Sequence, residues 1–221
     1  MRWVFLSPHF DDAALSCGGL IWDLAKRGNA VEIWTVCAGN PGEGRLSELA
    51  SHLHERWATK GGRETVEVRR AEDKNAAAIL GASTKHFSTL DCIYRADAAG
   101  RFLYLEDVFD PPHAADAELS ERIAAELGRE LDPEDQLVAP LAVGHHVDHV
   151  ITRAAVERLQ RPNCLYYADI PYLLKDGSEL PRLSQRLFAS HYAPSPAALR
   201  AWLKGIAAYG SQMGILFGSE K

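Results

Sequence analysis

Long apolar runs are missing from this chain: no uninterrupted stretch approaches the roughly 20 residues that a membrane-spanning helix needs. A basic excess is missing too. Lys and Arg number 24 against 30 Asp and Glu, a formal charge of −6, and a nucleic-acid binder ordinarily carries the opposite imbalance on one face. Only four cysteines are present, Cys17, Cys37, Cys92 and Cys164, with no Cys-x-x-Cys pair among them. Three sit in apolar or strand-like surroundings, where a thiol acts as a small hydrophobe. There is no internal repeat, no low-complexity tract and no Gly-x-Gly-x-x-Gly after the first apolar run. The apolar part of Met1–Pro8 is too short for a signal peptide. These absences lead to the expectation of a soluble cytoplasmic protein that binds neither nucleic acid nor membrane. With 47% hydrophobic residues in 221, one core forms without metal or disulfide staples. Any metal is then expected to work rather than to hold the fold.

Short apolar runs alternate with helix-length amphipathic stretches, the pattern of stacked βα units. Strands are expected at 3–6, 31–36, 86–90, 136–139 and 164–168. Helices are expected at 13–27 (stopped by Gly28), 47–57, 69–80 (stopped by Gly81), 117–130, 146–159 and 197–208. The fold class that follows is α/β, a Rossmann-like three-layer sandwich with a mainly parallel sheet. The polar insertion 40–68 is long for a plain connection and reads as a short helix on a mobile excursion. No linker divides residues 1–221, so a single domain is expected.

In such folds chemistry gathers at the carboxyl ends of the strands. After the first strand comes Ser7-Pro8-His9-Phe10-Asp11-Asp12. Adjacent carboxylates on a turn point in different directions, so one can bind a metal while its neighbour faces water. Helix capping is the alternative use of such a pair; His9 tilts the balance, because the three offer mixed nitrogen and oxygen ligands suited to zinc. After the fourth strand comes Gly144-His145-His146-Val147-Asp148-His149. At a helix start His146 and His149 share one face while His145 points away. Asp148 is placed to hold the other ring nitrogen of a ligand histidine. The candidate ligands are His9, Asp12 and His149, and three protein ligands with an open position is the catalytic arrangement of zinc.

His9-Phe10-Asp11-Asp12 and His146-Val147-Asp148-His149 resemble the paired motifs of the PIG-L/LmbE-like deacetylases, zinc-dependent enzymes that remove an acyl group from N-acetylglucosamine derivatives. The resemblance extends to Arg69-Arg70-Ala71-Glu72-Asp73, Leu80-Gly81, Leu90-Asp91, Tyr167-Ala168-Asp169-Ile170-Pro171-Tyr172 and Tyr209-Gly210-Ser211-Gln212. It implies one Zn²⁺ per chain on His9, Asp12 and His149, with Asp11 as general base. It implies that a protonated His146 stabilises the oxyanion or protonates the departing amine, that Arg69 lies near the substrate and that Asp91 lies near the sugar. It also implies a small-molecule or glycoconjugate substrate bearing N-acetylglucosamine, and assembly into a homo-oligomer. Two positions depart from the family pattern. Phe10 and Ala13 stand where many members have Pro and Glu, and Gly144 stands where some have a tyrosine. Trp57 and Tyr94 read as packing residues. Two rival classes remain, a Mg²⁺-dependent phosphoacceptor domain and a non-catalytic sugar- or nucleotide-binding module. The first leaves the histidines without a task, since Mg²⁺ prefers oxygen ligands. The second sets Asp11 and Asp12 against a pyrophosphate.

Overall fold

A computed structural model of the chain describes residues 1–218. Five strands, β1 (Arg2–Ser7), β2 (Ala30–Thr35), β3 (Ser83–His86), β4 (Gln136–Pro140) and β5 (Cys164–Tyr167), form one sheet in the order β3-β2-β1-β4-β5. Every pairing is parallel, so each connection must travel back across the sheet, and helices supply the return. These are α1 (Asp12–Lys26), α2 (Glu48–Arg56), α3 (Gly61–Leu80), α4 (Leu119–Glu130) and α5 (Val147–Arg158). Two short helices, α6 (Tyr172–Lys175) and α7 (Leu180–Leu183), follow β5, and then come α8 (Pro196–Ala207) and α9 (Gly210–Leu216). Helices α1, α3 and α8 pack on one another, as do α4 and α5. Right-handed crossovers running in opposite directions from β1 put these groups on opposite faces, which makes three layers. The inner strands are buried on both sides and therefore lack polar alternation: Val4, Phe5, Leu6, Ile33, Trp34 and Leu137 are all inaccessible to solvent.

Two elements differ from the sequence expectation. The third strand lies at Ser83–His86 rather than 86–90. It is a short edge strand whose side chains stay partly exposed, so Ser, Thr and Lys are acceptable there and the apolar signal is displaced downstream. Beyond it the chain turns against Gly39, whose N–H donates to the Thr89 carbonyl at 2.7 Å. A Cβ on Gly39 would stand 2.2 Å from the Ser88 oxygen, so the approach needs glycine. Helix α3 begins at Gly61, two turns before the expected start. Much of the 40–68 insertion is therefore helical. α2 is capped by Ser47, which accepts from Ala50 N at 3.0 Å. It buries Ala50 and His54 and packs on α3 and α9, so the segment lies against the body instead of forming an excursion.

The sheet order reverses at β1, where the chain leaves towards β2 on one side and returns through β4 on the other. The crevice beyond the carboxyl ends of β1 and β4 is the ligand position of this architecture. The C-terminal helix closes it. Glu72 on α3 accepts from Ser211 N and Ser211 Oγ, both at 2.7 Å. Asp73 accepts from Tyr209 Oη at 3.0 Å and lies 2.7 Å from His86 Nε2. These bonds hold α9 beside the crevice, where Gln212, Ile215 and Leu216 form part of its wall. Among the described residues no helix is long and apolar enough to cross a membrane.

Candidate active site

The turn after β1 places His9, Asp11 and Asp12 without using the acidic pair as a helix cap. Asp11 occupies the cap position of α1 but makes no capping bond. Instead, Ser7 Oγ accepts from Ala13 N at 2.9 Å. Asp12 Oδ2 accepts from His9 N at 2.7 Å, folding the carboxylate back over the turn. Beyond β4, His146 caps α5 with its own ring: Nδ1 accepts from Asp148 N at 3.2 Å. A nitrogen that accepts is unprotonated, so a neutral His146 carries its proton on Nε2. His145, at φ +58°, turns outward to pair with Glu179.

The two segments meet. The ring centroids of His9 and His146 are 4.6 Å apart and those of His9 and His149 5.4 Å apart. One nitrogen from each of the three histidines lies within 4.8 Å of the others. Asp12 Oδ2 stands 3.3 Å from His9 Nδ1 and 3.3 Å from His149 Nε2.

The opposite nitrogens of these rings are held by carboxylates. His9 Nε2 is 3.1 Å from Asp148 Oδ2 and His149 Nδ1 is 2.6 Å from Asp169 Oδ1. In their neutral, metal-binding form the rings keep the proton on those sides, and the lone pairs of His9 Nδ1 and His149 Nε2 both face Asp12. His149 Nε2 is buried and has no hydrogen-bond partner, an orphan position that a cation would satisfy. Metal–ligand distances of about 2.1 Å in a tetrahedral site leave ligand atoms about 3.4 Å apart. The spacing found here fits that requirement, and the donor set fits zinc. His146 is a poorer third ligand, because one nitrogen is engaged in the cap.

Charge is sorted by environment. Burial works against the charged form of every member, and what differs is the company. His149 and His9 hold Asp12 well below the usual carboxylate range despite its burial. Asp11 is pushed up by burial, and Arg69, with Nη2 at 3.3 Å, only partly offsets this. Burial would lower His9 and His149, but the carboxylates around them prevail; His9 is held above its ordinary value and His149 at about 9. His146 is driven well below its usual value by burial and by the two neighbouring rings, which favours its neutral form. Burial, with Asp12 and Asp11 nearby, keeps the Tyr172 phenol protonated.

A cavity of about 260 Å³ opens over the cluster, and His9, Asp11, Asp12, Arg69, Asp91 and His146 all line it. Arg69 is buried with its guanidinium between two rings, 4.9 Å from Trp57 and 5.5 Å from Phe10. Trp57 thus both packs and lines the cavity. Asp91 lies 3.8 Å from Arg69 Nη1 and 3.7 Å from His9 Nε2. Asp148 is completely enclosed beneath His9, accepting from Cys92 N at 2.9 Å and paired with Arg95. It supports a ring and does not reach the cavity. Sequence reasoning did not find the roles of three contributors, although Asp169 and Tyr172 lie in the family-like segment 167–172: Asp169 orients His149, Arg95 neutralises Asp148, and Tyr172 stands on the cavity wall. The available signal was a carboxylate directly beyond the end of β5. A larger depression of about 660 Å³ beside Asp116 and Arg122 contains none of the clustered histidines.

A family model described as GlcNAc-PI de-N-acetylase, PIG-L, matches residues 4–159. A 2'-N-acetylparomamine deacetylase of Streptomyces fradiae is 30% identical over 226 residues, covering 96% of this chain and 73% of that protein. The protein of the same name from Niallia circulans is 28% identical over 233 residues, covering 99% and 83%. Among solved structures, the zinc-inhibited form of a teicoplanin deacetylase aligns with a TM-score of 0.86 at 29% identity, over 100% of this chain and 88% of the other. On this evidence, and with both halves of the histidine–carboxylate cluster in place, the chain belongs to the PIG-L family.

Proposed function

We propose that this protein hydrolyses the acetamide of an N-acetylglucosamine-type sugar, with one zinc ion held by His9, Asp12 and His149. The enzyme class, a carbohydrate N-deacetylase, follows from the family and its deacetylase relatives. One observation carries the finer reading: Asp12 Oδ2 lies 3.3 Å from His9 Nδ1 and 3.3 Å from His149 Nε2, the ring nitrogens free to ligate a cation, while Asp11 stands next to it in the same cavity with a raised pKa.

When bound, zinc supplies a Lewis acid and lowers the pKa of water from about 15.7 to about 7. The residues do the rest. Asp11 accepts a proton from the attacking water as hydroxide adds to the amide carbon; a raised carboxyl pKa brings a base closer to working pH. His146 donates a hydrogen bond from Nε2 to the oxygen on which negative charge gathers. The C–N bond then breaks, and the proton held by Asp11 passes to the leaving nitrogen. Acetate and a free amine result, with water consumed and Asp11 restored. Arg69 keeps Asp11 aimed into the cavity, and Asp91 offers an acceptor to a sugar hydroxyl.

The test is amine release from a panel of N-acylated glucosaminides, with and without chelator. Chelator-sensitive release of acetate and amine in equal amounts is the expected result. Asp11→Asn should keep its metal and lose at least about 100-fold in kcat. Release that ignores the chelator, or full turnover by Asp11→Asn, overturns the reading.

A further inference from the structure

Tyr172 stands on the cavity wall with a phenol that no protein group uses. It is half-buried and lines the same space as Asp11, Asp12 and His146; its hydroxyl is not among the buried polar atoms that lack a partner, and no side chain among the described residues bonds to it. An accessible, unpaired phenol on a cavity wall is free to donate to a ligand that enters there. The ring itself is firmly held. It meets His149 edge-on, with centroids 5.5 Å apart at 90°, and Phe109 at 5.8 Å and 78°. Phe109 in turn sits edge-on to His146 at 5.7 Å.

The backbone before α5 is shaped to admit this ring. Gly144 and His145 are consecutive left-handed residues, at φ +84° and +58°. A Cβ on Gly144 would stand 2.7 Å from both Cβ and Cγ of Tyr172. Any side chain at 144 therefore competes with Tyr172 for one space, and the present sequence resolves the contest for the tyrosine.

We propose that Tyr172 is a catalytic residue of the deacetylation, its hydroxyl donating a hydrogen bond to the amide oxygen as negative charge develops there. The proposal rests on the deacetylase reading above and adds a second donor beside His146. Tyr172 touches His149 and Phe109, whereas Arg69 and Asp91 approach Asp11 and His9. The phenol thus belongs to the histidine side of the cavity, where the carbonyl is attacked, and not to the Arg69–Asp91 side that receives the sugar. A neutral phenol keeps its proton throughout at neutral pH, so no proton needs to be returned to it.

Tyr172→Phe keeps the ring and removes only the donor. Loss of one oxyanion donor costs about 10²–10³ in kcat, so a fall of that size is expected, with KM within about threefold and zinc content unchanged. Equilibrium binding of a glucosamine N-methylphosphonamidate, a tetrahedral anionic mimic, should weaken at least about tenfold by calorimetry. Gly144→Ala, which displaces the ring but keeps the hydroxyl, should lower kcat at least about tenfold in the parent. In the Tyr172→Phe background it should add less than about threefold, since both changes remove one contact. A Tyr172→Phe kcat within threefold of the parent overturns the assignment. So do a loss confined to KM and losses from the two variants that multiply. Absence of amine release by the parent chain would instead sink the deacetylase reading itself.

Discussion

Asp169 touches no substrate in this scheme, yet its replacement by asparagine should weaken metal binding whichever way the new amide is turned. Oδ1 of Asp169 is 2.6 Å from His149 Nδ1, and Oδ2 accepts from Val143 N at 2.9 Å. Both carboxylate oxygens are thus acceptors, in a place where Asp169 and His149 are almost entirely enclosed. An asparagine has one acceptor and one donor end. If its oxygen faces His149, the required tautomer survives, but the amide N–H₂ points at Val143 N–H and two buried donors oppose each other. That costs about 1–3 kcal/mol of stability. If its oxygen faces Val143, the N–H₂ donates to Nδ1, the ring proton moves to Nε2, and the lone pair facing Asp12 is lost. Replacing a carboxylate that orients a ligand histidine typically costs 10–100-fold in metal affinity, equivalent to about 1.4–2.7 kcal/mol. Competition with a chromophoric chelator reads the affinity, and thermal melting of the apo form reads the stability, at about 2–4 °C per kcal/mol for a chain of this size. At least one of the two must move. Zinc affinity within twofold of the parent, together with an unchanged apo melting temperature, would refute the argument about Nδ1.

Other perturbations follow from the same structure. Arg69 holds the Asp11 carboxyl down against its burial. Arg69→Gln should therefore raise the Asp11 pKa and move the acid limb of the kcat/KM profile to higher pH, because the base works only when ionised; a limb that stays in place or moves to lower pH contradicts the pairing. Far from the site, Asp135 accepts from Arg2 Nε at 3.0 Å and from Asp132 N at 2.7 Å. Although burial opposes its charge, these partners hold its carboxyl below the usual carboxylate range. A depressed folded pKa stabilises the protein above the unfolded value of about 3.9, and this stabilisation disappears as pH falls through the folded one. Asp135→Asn should accordingly cost about 1–3 kcal/mol at pH 7, and the gap to the parent should close in acid. A difference in melting temperature that is constant from neutral to acid pH would show that charge is not its source.

The parts of the site legible in sequence were those that one element delivers. His9, Asp11 and Asp12 share a single turn after a buried strand, and His146 and His149 share one helical face; their meeting then follows from β1 and β4 being neighbours. Asp169 and Tyr172 arrive from the far side of β5, and Arg95 from the connection before α4. No local spacing links any of them to the histidines. Gly144 shows the difference plainly. In sequence it is a missing side chain, and in space it is room for Tyr172. The third strand was misplaced because an edge strand need not be apolar, and the start of α3 because its first two turns are mostly polar and bury only Gly62, Thr65 and Val66.

Adjacency alone would make Asp11 and Asp12 compete, since two like charges on one turn raise each other's pKa. The structure separates them by giving each a different set of neighbours. Asp12 folds back over the turn, where His9 N–H and two imidazoles favour its charge. Asp11 is left facing the cavity with one arginine and a large desolvation penalty. Ser7 makes this division possible by taking over the cap of α1; had either carboxylate capped the helix, only one would remain for chemistry. Two carboxylates whose environments push their pKa values apart are the arrangement in which one stays ionised and the other exchanges protons. The proposed division of labour between a charge that holds a cation and a base that turns over would therefore be set by the first turn after β1, with the start of α5 beyond β4 supplying His149 to enforce it.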